Sequence, residues 1–284
     1  MDVAIIGTGL IGGSLALDLR SSGFAHRLIG VDRNPEHAEM ARRLGLVDEM
    51  LPLEAAVAAP LIVVAVPVDE AVRLLPTLLD RIGPGQTVTD VCSTKRSLLQ
   101  AVATHPRRDR FVAGHPMAGT EYSGPSAARP GLFSGRIGIL CDVGFSAPDA
   151  VRMVEAMYTA VGMVLVYMDA ERHDLHTAYV SHLSHVVSYA LALTVLDKER
   201  DERQIFNLAG GGFASTARLA KSSPTMWTPI FRHNTDYLLA AVEAFQERLA
   251  EFRAALERGD SAALDALISR ANDIRRILDR PTGA

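Results

Sequence analysis

Cysteine is scarce. Cys92 and Cys141 are the only two in 284 residues, which leaves neither a disulfide framework nor enough thiolates for a metal cage. An excess of basic charge is missing too. Lys and Arg number 29 against 33 Asp and Glu, a formal net charge of -4, so nucleic acid is not an expected partner. The most apolar run, Ala55 to Val68, is broken by Pro60 and Pro67. It is too short for a bilayer, and no membrane partner is expected. Met1 leads straight into a strand pattern, with no basic leader or cleavage site. These absences point to a soluble, cytoplasmic protein. What remains is ordinary and sufficient: 48% hydrophobic and 22% charged residues can bury a large core. The length suits two domains better than one.

The first pattern with chemical meaning follows a short apolar run, Asp2 to Ile6. It reads Gly7-Thr8-Gly9-Leu10-Ile11-Gly12-Gly13-Ser14 and opens a helix through Leu15, Leu17 and Leu19. A Gly-x-Gly-x-x-Gly loop between strand and helix is the context that a dinucleotide fingerprint requires. Gly7 makes the turn, Gly9 admits a pyrophosphate to the backbone, and Gly12 packs helix on strand. The free N–H groups and dipole of the helix N-terminus then meet phosphate charge. A second strand, Arg27 to Val31, ends in Asp32, about 20 residues past the third glycine as expected. A carboxylate there hydrogen-bonds the ribose hydroxyls and repels a 2′-phosphate, favouring NAD over NADP. Arg33 could soften that preference, since a guanidinium can pair with the 2′-phosphate.

The βα alternation continues. Strands are expected over 61–66, 86–91, 111–113, 136–141 and 163–167, with helices over 69–81 and 147–161. The fold class is therefore α/β: a Rossmann-type dinucleotide-binding domain over residues 1–168, then an all-helical domain over 169–284. Loops at the carboxyl ends of the strands should face the cofactor. The candidate contacts are Gly7, Thr8, Gly9, Leu10, Ile11 and Gly12, with Asp32 and Arg33, then Val66 and Pro67, then Ser93. Ser93 or Thr94 is also a natural N-cap for the helix that follows, beside the charge of Lys95.

Gly114-His115-Pro116 presents a histidine on extended backbone, because proline disfavours the α region for the residue before it. Glycines at 114 and 119 leave room for a ligand, and an imidazole on such a loop can act as a base or, in a plain turn, merely cap a helix. The helical pattern from Glu171 to Glu199 carries His173, His176, His182 and His185. At about 100° per residue the first pair faces away from the second, so no four-ligand metal site is expected. Core or capping roles suit His173 and His176, whereas His182 and His185 lie on a serine-bearing polar stripe that should meet a ligand or another segment. Gly210-Gly211-Gly212 interrupts the helices ahead of Arg218, a possible carboxylate clamp or a plain surface residue. Thr228-Pro229 reads as a helix start. Phe231, Leu238, Phe245 and Phe252 then recur every seven residues, and Leu264, Leu267, Ile268, Ile274, Ile277 and Leu278 line the last helix. Such apolar helices suit a homodimer.

With these segments assembled, the chain resembles the prephenate/arogenate dehydrogenases of tyrosine biosynthesis. The resemblance rests on the glycine loop, Thr-Asp-Val-Cys-Ser-Thr-Lys at 89–95 and Gly-His-Pro-Met-Ala-Gly-Thr-Glu at 114–121. It continues through His173-Asp174, Ser-His-Leu-Ser-His at 181–185, the Gly-Gly-Gly-Phe and Ala-Arg-Leu-Ala segments, and Ser-Pro-Thr-Met-Trp at 223–227. It implies oxidative decarboxylation of prephenate with NAD, or of arogenate by the same chemistry. It implies His115 and Ser93 as the catalytic pair, Arg218 and His185 around the substrate, and Glu121 as a charged gate near Arg218; His182 of the polar stripe is placed with them, and no metal is expected. Ser184 departs from the family's usual proline. Ala214 and Ser215 stand where arginine and aspartate are common, so the ionic partner that those positions supply to Arg218 is expected to be missing. No appended regulatory domain is expected after the last helix. A β-hydroxyacid or imine reductase, or a non-catalytic NAD sensor, are the remoter readings.

Overall fold

A computed structural model describes residues 1–278. Among them eight strands form one sheet: β1 (Asp2–Ile6), β2 (Arg27–Val31), β3 (Glu49–Met50), β4 (Leu61–Val64), β5 (Thr87–Asp90), β6 (Phe111–Pro116), β7 (Ile137–Cys141) and β8 (Val164–Met168). Their order across the sheet is β3-β2-β1-β4-β5-β6-β7-β8. All pairs are parallel except β6 with β7. β1 and β4 are buried on both faces, as strands covered by helices on each side must be. The two resulting apolar layers are built around Ile62, Val64, Leu75 and Leu78 on one side and Val3, Leu15, Leu19 and Tyr158 on the other. The expected α/β order holds. The two-residue strand β3 had no apolar run to betray it.

The strand order reverses between neighbouring β1 and β4, and such a switch point marks a crevice at the carboxyl ends of the strands. That is where ligands bind in open parallel sheets. The Gly7–Gly12 loop, the 65–67 loop, the 91–95 loop and the end of β6 all reach that edge.

Beyond β8 the chain is helical. Helix Ala170–Thr177 runs through a π turn, Ala178–His182, into helix Leu183–Asp201. The whole 32-residue run is long and apolar enough to cross a bilayer by length and composition. It is therefore a more membrane-like segment than Ala55 to Val68, and buried polar His173, Asp174 and His182 lie within it. Gly211–Thr216 forms a short helix, so the glycines open an element instead of merely interrupting the chain. Helix Pro224–His233 starts four residues before the expected Thr228 and encloses Pro229.

The chain divides into two compact units, Met1–Thr235 and a second beginning at Asp236. In the second, helix Thr235–Glu257 ends at Gly259, whose φ is +62, and Asp260 then caps helix Ser261–Ala271 by accepting from Ala263 N at 2.9 Å. Phe231 belongs to the preceding helix, because Asn234 breaks the chain's helical path. It therefore does not continue the heptad series of Leu238, Phe245 and Phe252. Ile268, Ile274, Ile277 and Leu278 are exposed.

Candidate active site

The nucleotide loop has the dimensions its glycines imply. Gly7 takes φ +96, and a Cβ there would stand 2.4 Å from Ala65 O, so the loop after β4 closes directly onto it. At Gly12 a Cβ would meet Gly7 O at 2.0 Å, whereas at Gly9 it would meet nothing within 4 Å. The open side of Gly9 is where backbone can receive a diphosphate, and no side chain caps the helix that starts at Leu10. At the end of β2, Asp32 Oδ2 accepts from Thr8 N (3.1 Å) and Thr8 Oγ (3.0 Å), and Oδ1 from Asn34 N (3.0 Å). Thr8 is thus a buried brace for the carboxylate. Leu10, Ile11 and Val66 are half-buried around this crevice and Pro67 is exposed. Arg33 is bonded to Glu70 at 2.9 Å. These residues fit a dinucleotide whose ribose hydroxyls take the remaining acceptor capacity of Asp32.

Next to this crevice, β5 and β6 are tied together by buried charge. Lys95 Nζ bonds the Asp90 carboxylate and donates to Gly114 O at 2.6 Å. Asp90 also accepts from Cys92 N (2.9 Å) and Gly114 N (3.1 Å). This knot pins the loop bearing half-buried Ser93 against the strand that carries His115. Gly114 serves packing and not ligand access, since a Cβ would lie 2.6 Å from the Tyr158 hydroxyl. His115 itself stands in β6, paired with Ile139 of β7, where a loop was expected. Extension before Pro116 is the common feature of both descriptions. Neither Ser93 nor Thr94 caps helix Arg96–Ala101. The Asp174 carboxylate does so from another helix, accepting from Lys95 N (2.8 Å) and Arg96 N (3.0 Å).

His115 is 7% exposed. Its Nδ1 lies 2.8 Å from His173 Nε2, and His173 Nδ1 lies 2.7 Å from Asp174 Oδ1. Burial pushes the His115 imidazole well below the ordinary histidine range, helped by His173, Lys95 and His182 nearby. His173 is lowered as well, again by burial, against the pull of Asp174. Burial raises Asp174, but bonds from His173 and the backbone N–H groups outweigh it and leave the carboxyl below its usual value. His182 is pushed down to about 4 by burial. His115 is thus a neutral base at neutral pH.

The π turn explains how His173 and His182 come to share one polar cluster despite the opposition expected of a regular helix. One extra residue per turn shifts the helical phase. Asn234 Nδ2 then donates both to Asp174 O (2.7 Å) and to His182 Nδ1 (3.1 Å). His176 stays exposed. His185 donates from Nδ1 to Ser181 O at 3.0 Å, and its ring stacks on Trp227 with centroids 3.3 Å apart. On the same face Ser188 donates to Thr216 O (2.9 Å) and accepts from Ala220 N (3.1 Å), which places the Arg218 turn. Arg218 is not left without a partner: its Nη1 is 3.1 Å from Glu121 Oε2. Glu121 is held below its usual value by a backbone N–H and then by that guanidinium. A cavity of about 560 Å³ opens beside the pair, lined by Glu121, Tyr122, Ser126 and Lys221. Among the described residues, no group of three or more His, Cys, Asp and Glu side chains could hold a metal.

Lys95, Asp174, Asn234 and Trp227 are the residues whose roles local sequence did not reveal. His173-Asp174 is one of the segments that carry the family resemblance, but nothing local pairs His173 with a histidine 58 positions away.

Comparison with known proteins agrees with this geometry. Residues 15–167 match the family model described as prephenate dehydrogenase, nucleotide-binding domain, and residues 169–270 the one described as prephenate dehydrogenase, dimerization domain. Prephenate dehydrogenase of Bacillus subtilis is 32% identical over 96% of this chain and 75% of its own length. The crystal structure of Aquifex aeolicus prephenate dehydrogenase with hydroxyphenyl propionate and NAD+ superimposes with a TM-score of 0.89, at 32% identity, over 98% of both chains. Synechocystis arogenate dehydrogenase gives 0.77 at 29% identity, over 97% of this chain and 99% of its own.

Proposed function

The chain belongs to the prephenate dehydrogenase family, and from that premise we propose that it converts prephenate to 4-hydroxyphenylpyruvate and carbon dioxide with NAD. It is an NAD-dependent dehydrogenase by its relatives and by the nucleotide domain they share. One observation carries the assignment of roles: a buried, neutral His115 stands at the same carboxyl edge of the sheet as the Gly7–Gly12 loop. NAD, when bound, supplies the acceptor for the hydride that leaves the ring carbon bearing the hydroxyl. His115 draws off the hydroxyl proton as that hydride departs. The bond to the ring carboxylate then breaks and its electron pair aromatises the ring. The oxygen that becomes the phenol takes a proton back, so His115 ends as it began. Ser93 holds the hydroxyl in register. Arg218, Glu121, His182 and His185 receive the rest of the substrate, with the guanidinium of Arg218 opposite a carboxylate.

Domain boundaries near 168, a cytoplasmic location and a homodimer through the C-terminal helices complete the proposal. The exposed apolar residues Ile268, Ile274 and Ile277 support the dimer. The test is NADH formation by purified protein with NAD and either prephenate or arogenate. Prephenate is the expected substrate, and His115→Asn should lower kcat by roughly 10²- to 10⁴-fold with little change in KM. Preference for arogenate would move the substrate and keep the mechanism. Turnover with neither would overturn the reading, and so would an unchanged kcat in the histidine variant.

A further inference from the structure

The Asp174 carboxylate has no proton to give, and it is surrounded by donors. Lys95 N, Arg96 N and Arg96 Nε (3.4 Å) all point N–H groups at it. His173 Nδ1, 2.7 Å away, must therefore also donate to it. A neutral imidazole that donates from Nδ1 has a bare Nε2, which can only accept. The neighbour of that Nε2 is His115 Nδ1 at 2.8 Å, so Nδ1 of His115 must carry the proton. It follows that Nε2 of His115 is bare, and this atom makes no hydrogen bond among the described residues. Each step is forced by the one before, starting from a single fixed charge.

The geometry points to His173 and Asp174 as positioning residues that lock His115 in the tautomer whose Nε2 accepts the substrate's hydroxyl proton. The inference rests on the catalytic role proposed for His115. The opposite polarity would need a doubly protonated His173, whose Nε2 would donate and force the proton of His115 onto Nε2. Burial opposes that cation, and so does the Lys95 ammonium; Asp174 and Asp90 favour it. The charged and titratable groups facing His115 are His173 and His182 from the long helical run and Lys95 from the loop after β5. None of them is a carboxylate that could accept from Nε2 in place of the substrate. Because Asp174 also caps helix Arg96–Ala101, the same charge that sets the tautomer holds the loop that presents Ser93. One carboxylate thereby aligns both partners of the reacting hydroxyl.

Asp174 is a poor test residue, since its loss would also uncap a helix. The direct measurement is two-bond ¹H–¹⁵N correlation of the imidazole nitrogens in wild-type protein labelled at histidine, near neutral pH, with His115 identified by its loss in His115→Asn. A proton on Nδ1 and a pyridine-type Nε2 are expected. A proton on Nε2 would overturn the inference without any reference to turnover. In kinetics, His173→Phe should lower kcat on the order of 10²-fold, with KM changed only a few fold. His173→Gln, whose amide oxygen can still accept from His115 Nδ1, should regain most of the loss. Melting temperature and NAD binding screen both variants for folding. If KM rises while kcat stays, or if Gln is no better than Phe, the positioning role is wrong. Wild-type protein that turns over neither prephenate nor arogenate would instead sink the catalytic reading, and the imidazole signals would still decide the tautomer.

Discussion

Arg218 is half exposed, and the guanidinium reaches Glu121 across 97 positions of sequence. A partly exposed ion pair of this kind contributes little to stability; under the proposed role its worth lies in what replaces Glu121 when a carboxylate arrives. Arg218→Ala should raise KM for prephenate by about 10- to 100-fold, the value of a charge-assisted hydrogen bond, and leave kcat within a few fold. Steady-state kinetics with the wild-type control reads this directly. Arg218→Lys should recover only part of it, because a point charge cannot grip both oxygens. An Arg218→Ala enzyme with unchanged KM would remove this residue from the substrate's surroundings. The residue type and its glycine-rich approach were legible in sequence; Glu121 as its neighbour came only with the family resemblance.

Between elements, the buried knot of Asp90, Lys95 and the Gly114 backbone has no counterpart in any local pattern. Lys95 reads as a helix-start charge, yet its side chain is fully enclosed. Burying an ion pair is tolerable only when both members are satisfied. Here Asp90 also takes two backbone N–H groups, and Lys95 also reaches Gly114 O. Lys95→Ala would strand the carboxylate between β5 and β6 and should cost about 3–5 kcal/mol of unfolding free energy. Denaturant melts would show it as a lower midpoint with an unchanged slope. A loss below about 1 kcal/mol, the scale of a surface pair, would mean the knot is not closed as described. The π turn belongs to the same scale: periodicity alone set His173 against His182, and one inserted residue brought both to Asn234 and Asp174.

Across the whole molecule, the buried histidines set a common acid limit. His115, His173 and His182 all have folded-state values below the ordinary 6.5, the last at about 4. The unfolded chain therefore binds more protons than the folded one below about pH 6.5, and stability falls as pH drops through that window. Above it the contribution is complete. For His182 alone the loss between pH 7 and pH 5 is about 2 kcal/mol. Asp174, lowered from 3.8, adds its own loss only in stronger acid. Thermal unfolding followed from pH 7 to 5 should drop by roughly 5 °C or more. A flat profile would show that these imidazoles are not held neutral by burial.

The strand-and-helix alternation, the glycine loop, Asp32 and the extended His115-Pro116 step could be read from residues alone, because each depends on neighbours a few positions away or on a fixed backbone preference. Strand β3, the break at Asn234 and the pairing of Arg218 with Glu121 could not. Neither could the charge knot at Lys95, nor the line from Asp174 through His173 to His115. Those depend on which side chains a finished sheet and a shifted helix bring within hydrogen-bond distance, and periodicity carries no information about contacts across 58 or 97 positions. Tertiary packing alone also decided that His173, expected in a core or capping role, would be buried within hydrogen-bond distance of His115.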